Sequence, residues 1–401
     1  MQRVQNTLLT LIFVVLLLGP ACIFSAEKLS IDLPAWFTAE DANYLGGGQA
    51  YENVSDNITL ESFANRKLQD SIEKSIDNNI PCKATAILKN ASLQRSFIEL
   101  SNGLLRWDVY PTYYNSSVYY YKNEGFLLPK CSPLTDEHMQ SLSKYSLRIS
   151  ELAQKFPDCQ FVLYIADSAG ISEVNPTIDL VSNPLSIDKI MPCFQALQDN
   201  NNVIVLTSRY SNWHDFECDF YRTDHHWNFN GAYRAYEDIS KYMNLNAFDD
   251  TIGPVESWSM KGSFYRTGLM DLEEQPCDSI YSFDNLRVTL QDGVNVSGDN
   301  HDTLYSFKRS VAEMYFYELY YGTRNSSIRI SGPGEGVAIL AADSYGGAIK
   351  RLLAENYETL FTEWCLGDGK TDLHALESSI KEHKPDVVYI VGTYENMLDV
   401  E

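Results

Sequence analysis

From residue 135 onward, short apolar runs alternate with segments of helical period, and this rhythm constrains the fold more than any other feature of the chain. The runs are FVLYIA at 161–166, VIVLT at 203–207, VAILAA at 337–342 and DVVYIV at 386–391. Helix candidates occupy 136–155, 186–198, 348–358 and 372–383, and a further one ends near Met243. Strands that are apolar on every residue are buried on both faces, as in a parallel sheet covered by helices on each side. The predicted fold is therefore α/β with a mostly parallel central sheet. In such sheets ligands sit beyond the carboxyl ends of the strands. Ser168, Thr207, Ser344 and Thr393 stand at those ends.

The rest of the chain departs from this rhythm. Residues 27–134 form a polar, Asn- and Tyr-rich N-terminal region. There 56–78 reads as an amphipathic helix, with Ile58, Phe63, Leu68 and Ile72 at helical spacing. The aromatic stretch 107–121 reads as half-buried strands and hairpins; flat aromatic faces could also serve as a platform for sugar rings. Residues 249–331, rich in Gly, Ser, Asp and Tyr, look like loops and hairpins inserted into the 135–401 domain. At the N-terminus, Arg3 precedes an apolar run over 8–24, followed by Ser25-Ala26. This predicts a signal peptide or signal-anchor over 1–26, and hence an exported chain, extracellular or periplasmic, that an uncleaved segment would tether to the membrane.

Export permits disulfides among the seven cysteines beyond Cys22, and the absence of a Cys-x-x-Cys spacing gives no support to a structural zinc or redox centre. A formal charge of −23 argues against nucleic acid, whose phosphates need a basic surface. Gly46-Gly47-Gly48 lacks the Lys and helix signal of a phosphate loop, and no cofactor is expected.

Chemistry concentrates in YRTDHHWNFNGA at 221–232. A carboxylate two residues before an imidazole, Asp224 and His226, is the pairing that orients a general base. An ordinary hydrogen-bonded Asp/His pair would look the same. The missing partner is a nucleophile, and two serines qualify, each at a strand end and each preceded by Asp: Ser168 and Ser344. Only Ser344 opens a helix, with Gly346 and Gly347 beside it, so helix-terminal N–H groups could face a developing oxyanion. Behind Ser168, Pro176 and Pro184 suggest an extended loop. A zinc site using His225, His226, His214 and Asp215 or Asp219 has suitable ligand types, but His225 and His226 would point to opposite sides of a strand.

The 221–232 stretch resembles the signature of the bacterial family named for its Asp-His-His-Trp (DHHW) motif, and is similar to the Asp-x-His-Trp segment of the alginate O-acetyltransferases, which are SGNH-hydrolase-like. Ala342-Asp343-Ser344-Tyr345 resembles that group's nucleophile segment, and Gly262-Ser263-Phe264-Tyr265 resembles a block between the two. The likeness covers roughly 135–401. It implies an SGNH-hydrolase-like three-layer sandwich with a permuted motif order, preceded here by an N-terminal extension. Carried over, it makes Ser344 the nucleophile, His226 the base and Asp224 its orienting acid. The relatives have no His between Asp and His, so His225 stays open as an alternative base. His225, Trp227, Arg266 and Tyr394 are candidates for lining the substrate pocket.

The resemblance implies transfer of an acyl group, most simply acetyl, to hydroxyls of a cell-surface glycan. It further implies a membrane-bound O-acyltransferase partner that supplies the acyl group. A carbohydrate esterase with the same triad, and a non-catalytic glycan-binding or assembly protein on the same fold, are the rival readings.

Overall fold

A computed structural model describes residues 58–78, 83–248, 256–259, 262–270, 272, 276–280, 285–290, 317, 328–363, 366–367 and 370–398. The apolar run at 8–24, the glycines at 46–48 and much of the 249–331 insert lie outside these residues. Among the described residues no helix is long and apolar enough to cross a membrane.

The chain divides into two compact units: Met1–Arg106 with Thr112–Ser116 and Arg266–Met270, and Trp107–Pro111 with Ser117–Tyr265 and Asp271–Glu401. In the first, the helix expected over 56–78 is two helices, α1 (Leu60–Ala64) and α2 (Lys67–Asn78). The break is at Arg66, whose φ of 69° lies in the left-handed region that a helix cannot continue through. A longer helix, α3 (Lys83–Leu105), follows. Arg95 on α3 clamps the separate pieces of this unit, donating to the carbonyls of Thr112 at 3.1 Å and Leu269 at 2.6 Å.

The second unit opens with an antiparallel meander of β1 (Val109–Pro111), β2 (Val118–Tyr121) and β3 (Phe126–Pro129); the aromatic stretch forms β1 and β2, as predicted, and β3 lies beyond it. Phe126 is buried, with its ring 5.2 Å edge-on from Trp213, and the Leu127 N–H donates to the Arg222 carbonyl at 2.8 Å. The meander thereby braces the start of the Asp-His-His-Trp loop.

Next come α4 (Asp136–Lys155), β4 (Gln160–Ile165), α5 (Ile187–Ile190), β5 (Val203–Thr207), α6 (Trp213–Asp219) and α7 (Phe229–Met243). Thr135 caps α4 by accepting from the His138 N–H, as a threonine at that position should. The helix expected over 186–198 becomes α5 followed by a 3₁₀ segment, Met191–Leu197, because Pro192 can neither donate its N–H nor fit a helix interior. The hairpin β6 (Glu256–Ser259) with β7 (Pro276–Ile280) encloses α8 (Ser263–Gly268), and β8 (Arg287–Leu290) follows. The chain closes with β9 (Ile328–Ser331), β10 (Val337–Ala342), α9 (Gly346–Ala354), β11 (Thr359–Glu363), the two-residue strands β12 (Leu366–Gly367) and β13 (Lys370–Thr371), α10 (Leu373–His383) and β14 (Val387–Gly392).

Seven of these strands make one sheet in the order β5-β4-β14-β10-β11-β9-β8. The first five are mutually parallel; β9 and β8 add an antiparallel edge. Side chains alternate between two cores along each central strand. Phe161, Leu163, Ile165, Ile339, Ala341, Val388 and Ile390 pack with α4 and α10, whereas Val162, Tyr164, Leu340, Ala342, Tyr389 and Val391 pack with α7 and α9. Both faces of the central strands are thus covered, which is why their sequences are apolar throughout. The connections from β4 and from β10 leave in opposite directions, with β14 between them, which is the kind of topological switch point where ligands of parallel sheets bind.

Leu163 lies at the centre of this arrangement and has no exposed surface. Leu163→Ala should lower the unfolding free energy by about 2–5 kcal/mol, read as a fall in the urea midpoint with an unchanged slope.

Candidate active site

The sharp passage from β10 into α9 is what presents Ser344. Ala342 ends the strand and Gly346 begins the helix; a Cβ on Gly346 would lie 2.2 Å from that of Ala342, so only glycine fits there. Asp343 fixes the turn. Its Oδ1 accepts the Tyr345 N–H at 2.8 Å, and its Oδ2 accepts the Thr393 N–H at 2.8 Å, the Thr393 hydroxyl at 3.3 Å and the Asn396 amide at 2.7 Å. One buried carboxylate therefore ties the end of β10 to the end of β14. Burial pushes the Asp343 carboxyl upward, against the opposing effect of these hydrogen bonds. Sequence inspection registers Asp343 only as the residue before the serine; its role depends on Thr393 and Asn396, fifty residues away.

The Asp-His-His-Trp loop approaches from α6 and α7. Asn228 caps α7, accepting from the Gly231 N–H at 3.2 Å, while its own N–H donates to the Asp219 carbonyl at 2.8 Å. Gly231 must be glycine, since a Cβ would meet that same carbonyl at 2.6 Å. Two contacts join the loop to the serine turn: the Trp227 indole donates to the Tyr345 carbonyl at 3.1 Å, and the Tyr345 hydroxyl donates to the His225 carbonyl.

These elements assemble a continuous hydrogen-bonded chain. Ser344 Oγ lies 2.6 Å from His226 Nε2, and His226 Nδ1 lies 2.5 Å from Asp224 Oδ1. Asp224 Oδ1 also accepts the His226 N–H, and Oδ2 accepts the Ser263 N–H at 2.5 Å. Asp224 and His226 are buried, whereas Ser344 is half-exposed. Burial alone would raise the Asp224 carboxyl, but the adjoining His225 and His226 and the hydrogen bonds from His226 and Ser263 hold it well below the usual carboxylate range. An ionised Asp224 accepting from Nδ1 selects the tautomer that turns the Nε2 lone pair toward the serine.

The Gly262-Ser263-Phe264-Tyr265 segment closes over the acid. The Gly262 N–H donates to the Thr223 hydroxyl at 3.0 Å, and the Phe264 and Tyr265 N–H groups reach the Thr223 carbonyl. A Cβ on Gly262 would fall 2.2 Å from the Asp224 Cβ.

The pocket-lining candidates separate. His225 is part-exposed beside the serine; its Nδ1 lies 2.8 Å from Ser263 Oγ, and its ring is 3.8 Å from that of His226. The two rings overlap because the loop is a bend rather than a strand, which corrects the expectation that they diverge. Trp227 is fully buried, and its indole hydrogen bond holds the two loops together. Tyr394 is buried in the opposite core, 6.2 Å edge-on from His138. Arg266 belongs to the first unit rather than to the one that carries Ser344.

His214 is exposed on α6 and pairs with Glu217, outside any histidine cluster. Ligand atoms of Asp224, His225 and His226 do lie within 4.8 Å of one another, but both nitrogens of His226 and Nδ1 of His225 are already hydrogen-bonded. The N–H groups of Gly346 and Gly347 donate to the Asp343 and Ser344 carbonyls, so neither is free for an oxyanion. Cys131, Cys159, Cys193 and Cys218 are free thiols, which removes them from any disulfide pairing.

Ser168 lies three residues beyond β4 with turns rather than a helix directly behind it, as the prolines suggest. Its Oγ has no hydrogen-bond partner among the described residues, in contrast to Ser344. Next to it, burial pushes Asp167 up to about 7, despite a hydrogen bond from Ser172.

No family model and no curated protein matches the sequence. Solved structures do. A DHHW family protein from Eubacterium siraeum superimposes with a TM-score of 0.52 at 16% identity, covering 70% of this chain and 92% of its own. Bacillus cereus PatB1 gives 0.48 at 17% identity (68% and 94%), and the O-acetyltransferase domain of Pseudomonas putida AlgJ gives 0.35 at 14% (69% and 91%). The chain thus shares its fold with a protein of the DHHW family, whose signature its own motif resembles.

Two predictions follow from the geometry. Gly262→Ala should slow labelling of Ser344 by a serine-directed phosphonate on the order of a hundredfold, by displacing Asp224. Gly103→Ala, where a Cβ meets nothing within 4 Å, should label as the wild type does. Asp167, raised when folded, costs stability as pH climbs from about 4 to about 7. Asp167→Asn should therefore gain up to about 4 kcal/mol over wild type at pH 8 and nothing at pH 4, measured by urea unfolding.

Proposed function

We propose that the protein transfers an acyl group, most simply acetyl, to hydroxyls of a cell-surface glycan outside the cytoplasm, with Ser344 as nucleophile, His226 as general base and acid, and Asp224 as the orienting carboxylate. The observation that carries this reading is the chain Ser344 Oγ, His226 Nε2, His226 Nδ1, Asp224 Oδ1 at the carboxyl edge of the sheet.

In the first half-reaction His226 takes the Ser344 proton as Oγ bonds to the acyl carbon of the donor, and the carbonyl π pair moves onto oxygen. Collapse of that tetrahedral adduct re-forms the carbonyl and breaks the bond to the donor's leaving oxygen, which takes the proton from His226. In the second, an acceptor hydroxyl gives its proton to His226 and attacks the acyl-serine. Ser344 Oγ departs and recovers the proton. Asp224 remains ionised throughout and stabilises the imidazolium of each half-reaction.

The acetyl group, the glycan and a membrane-bound O-acyltransferase as the upstream donor come from the resemblance of the 221–232 and 342–345 segments to acetyltransferase motifs. The apolar run at 8–24 supports export and a place beside such a partner.

The test supplies an acetyl ester donor and a glycan acceptor and follows acetate and acetylated glycan by mass spectrometry. Ser344→Ala and His226→Ala should each lower turnover on the order of a thousandfold or more, while Ser168→Ala retains it. Full activity in Ser344→Ala with loss in Ser168→Ala would overturn the assignment. Acetate release without acetylated glycan would identify an esterase instead.

A further inference from the structure

His226 Nε2 reaches Ser344 only if the imidazole plane is held, since its two hydrogen bonds lie at the ring's edge and leave both faces open to rocking. Both faces are in fact covered. His225 overlaps one at 3.8 Å and a 38° tilt. On the other lies Tyr317, with ring centroids 3.7 Å apart and planes 7° from parallel. The Tyr317 hydroxyl donates to the Ser344 carbonyl at 2.7 Å, so one side chain touches both the base and the backbone of the serine turn. Tyr317 is itself buried, and Tyr221, at the start of the Asp-His-His-Trp loop, meets its ring edge-on at 6.3 Å. No motif points to Tyr317; it is one of 26 tyrosines and lies within the inserted region.

We propose that Tyr317 is a positioning residue that clamps the His226 ring parallel to its own and locks it in register with Ser344. This rests on the Ser344 and His226 roles given above. The stack fixes the rotation of the imidazole about its Cβ–Cγ bond, and the hydroxyl fixes the serine backbone against the same ring. A tyrosine face also favours a cation laid over it, so the imidazolium formed when Ser344 gives up its proton is stabilised there. Among the described residues, five groups face His226: Asp224 at Nδ1, Ser344 at Nε2, His225 and Tyr317 on its faces, and Tyr345 at 5.4 Å. Asp224 is the carboxylate among them that favours the imidazolium, and Tyr317 acts in the same direction.

Two variants separate the parts of this role, with release of 4-nitrophenol from 4-nitrophenyl acetate as the readout. Tyr317→Phe keeps the stack and loses the hydrogen bond; kcat should fall about threefold to tenfold with the acid limb of the pH profile unmoved. Tyr317→Leu loses both. Its kcat should fall about tenfold to a hundredfold with KM within about twofold, because orientation rather than binding is lost. Its acid limb should move about half a unit toward lower pH, because the imidazolium is no longer favoured.

Wild-type kcat and an unshifted limb in Tyr317→Leu would overturn the inference and leave the Ser–His reading intact. A fall in both variants that tracks loss of thermal stability, with no shift of the limb, would also overturn it. A wild-type protein that neither turns over the ester nor becomes acetylated at Ser344 would overturn both.

Discussion

The site depends first on a carboxylate that performs no chemistry. Asp343 is buried and accepts from the Tyr345 and Thr393 N–H groups, the Thr393 hydroxyl and the Asn396 amide. Adjacent parallel strands are joined by their ladder only up to their last paired residues. Beyond Ala342 and Gly392 the chain would be free to fray, and Asp343 continues the connection into the loops. Gly392 makes this possible, because a Cβ there would lie 2.8 Å from Asp343 Oδ2. A buried acid so placed raises its own pKa, and is tolerated because nearly all its acceptor capacity is engaged.

The same division of labour recurs in the Asp-His-His-Trp loop. Trp227, the largest side chain in the motif, is fully buried, and its indole N–H is hydrogen-bonded to the turn that carries Ser344. The Tyr345 hydroxyl returns the connection to the His225 carbonyl. Two loops separated by more than a hundred residues are thereby stitched by aromatic side chains whose polar tips are satisfied and whose bodies fill the core between α7 and α9.

Much of this was legible in the sequence because burial on both faces leaves a plain mark. The runs at 161–166, 203–207, 337–342 and 386–391 all became parallel strands, and the rule that sites lie beyond strand ends left Ser168 and Ser344, between which the helix behind Ser344 and the family resemblance chose. What escaped was set by distant partners. Pro192 turned an expected helix partly into 3₁₀, and Arg66 broke another. Trp227 and Tyr394 looked like pocket residues because motif and strand-end position say nothing of which way a side chain faces. Gly346 and Gly347 looked like oxyanion donors, yet their N–H groups close the turn itself. Asp343 and Tyr317 act through contacts that no local pattern encodes.

His226 is covered on both faces and anchored at Nδ1, while Ser344 beside it remains half-exposed. The imidazole has no independent opening to bulk water, so protons enter and leave it through whatever molecule occupies the position over Ser344 Oγ. An acyl-serine formed there would be relieved only by a hydroxyl that fits that position and can give its proton to His226 Nε2. The lifetime of the acyl-enzyme, and with it the balance between a sugar and a water molecule as acceptor, would then be governed by shape at the serine rather than by the basicity of the histidine.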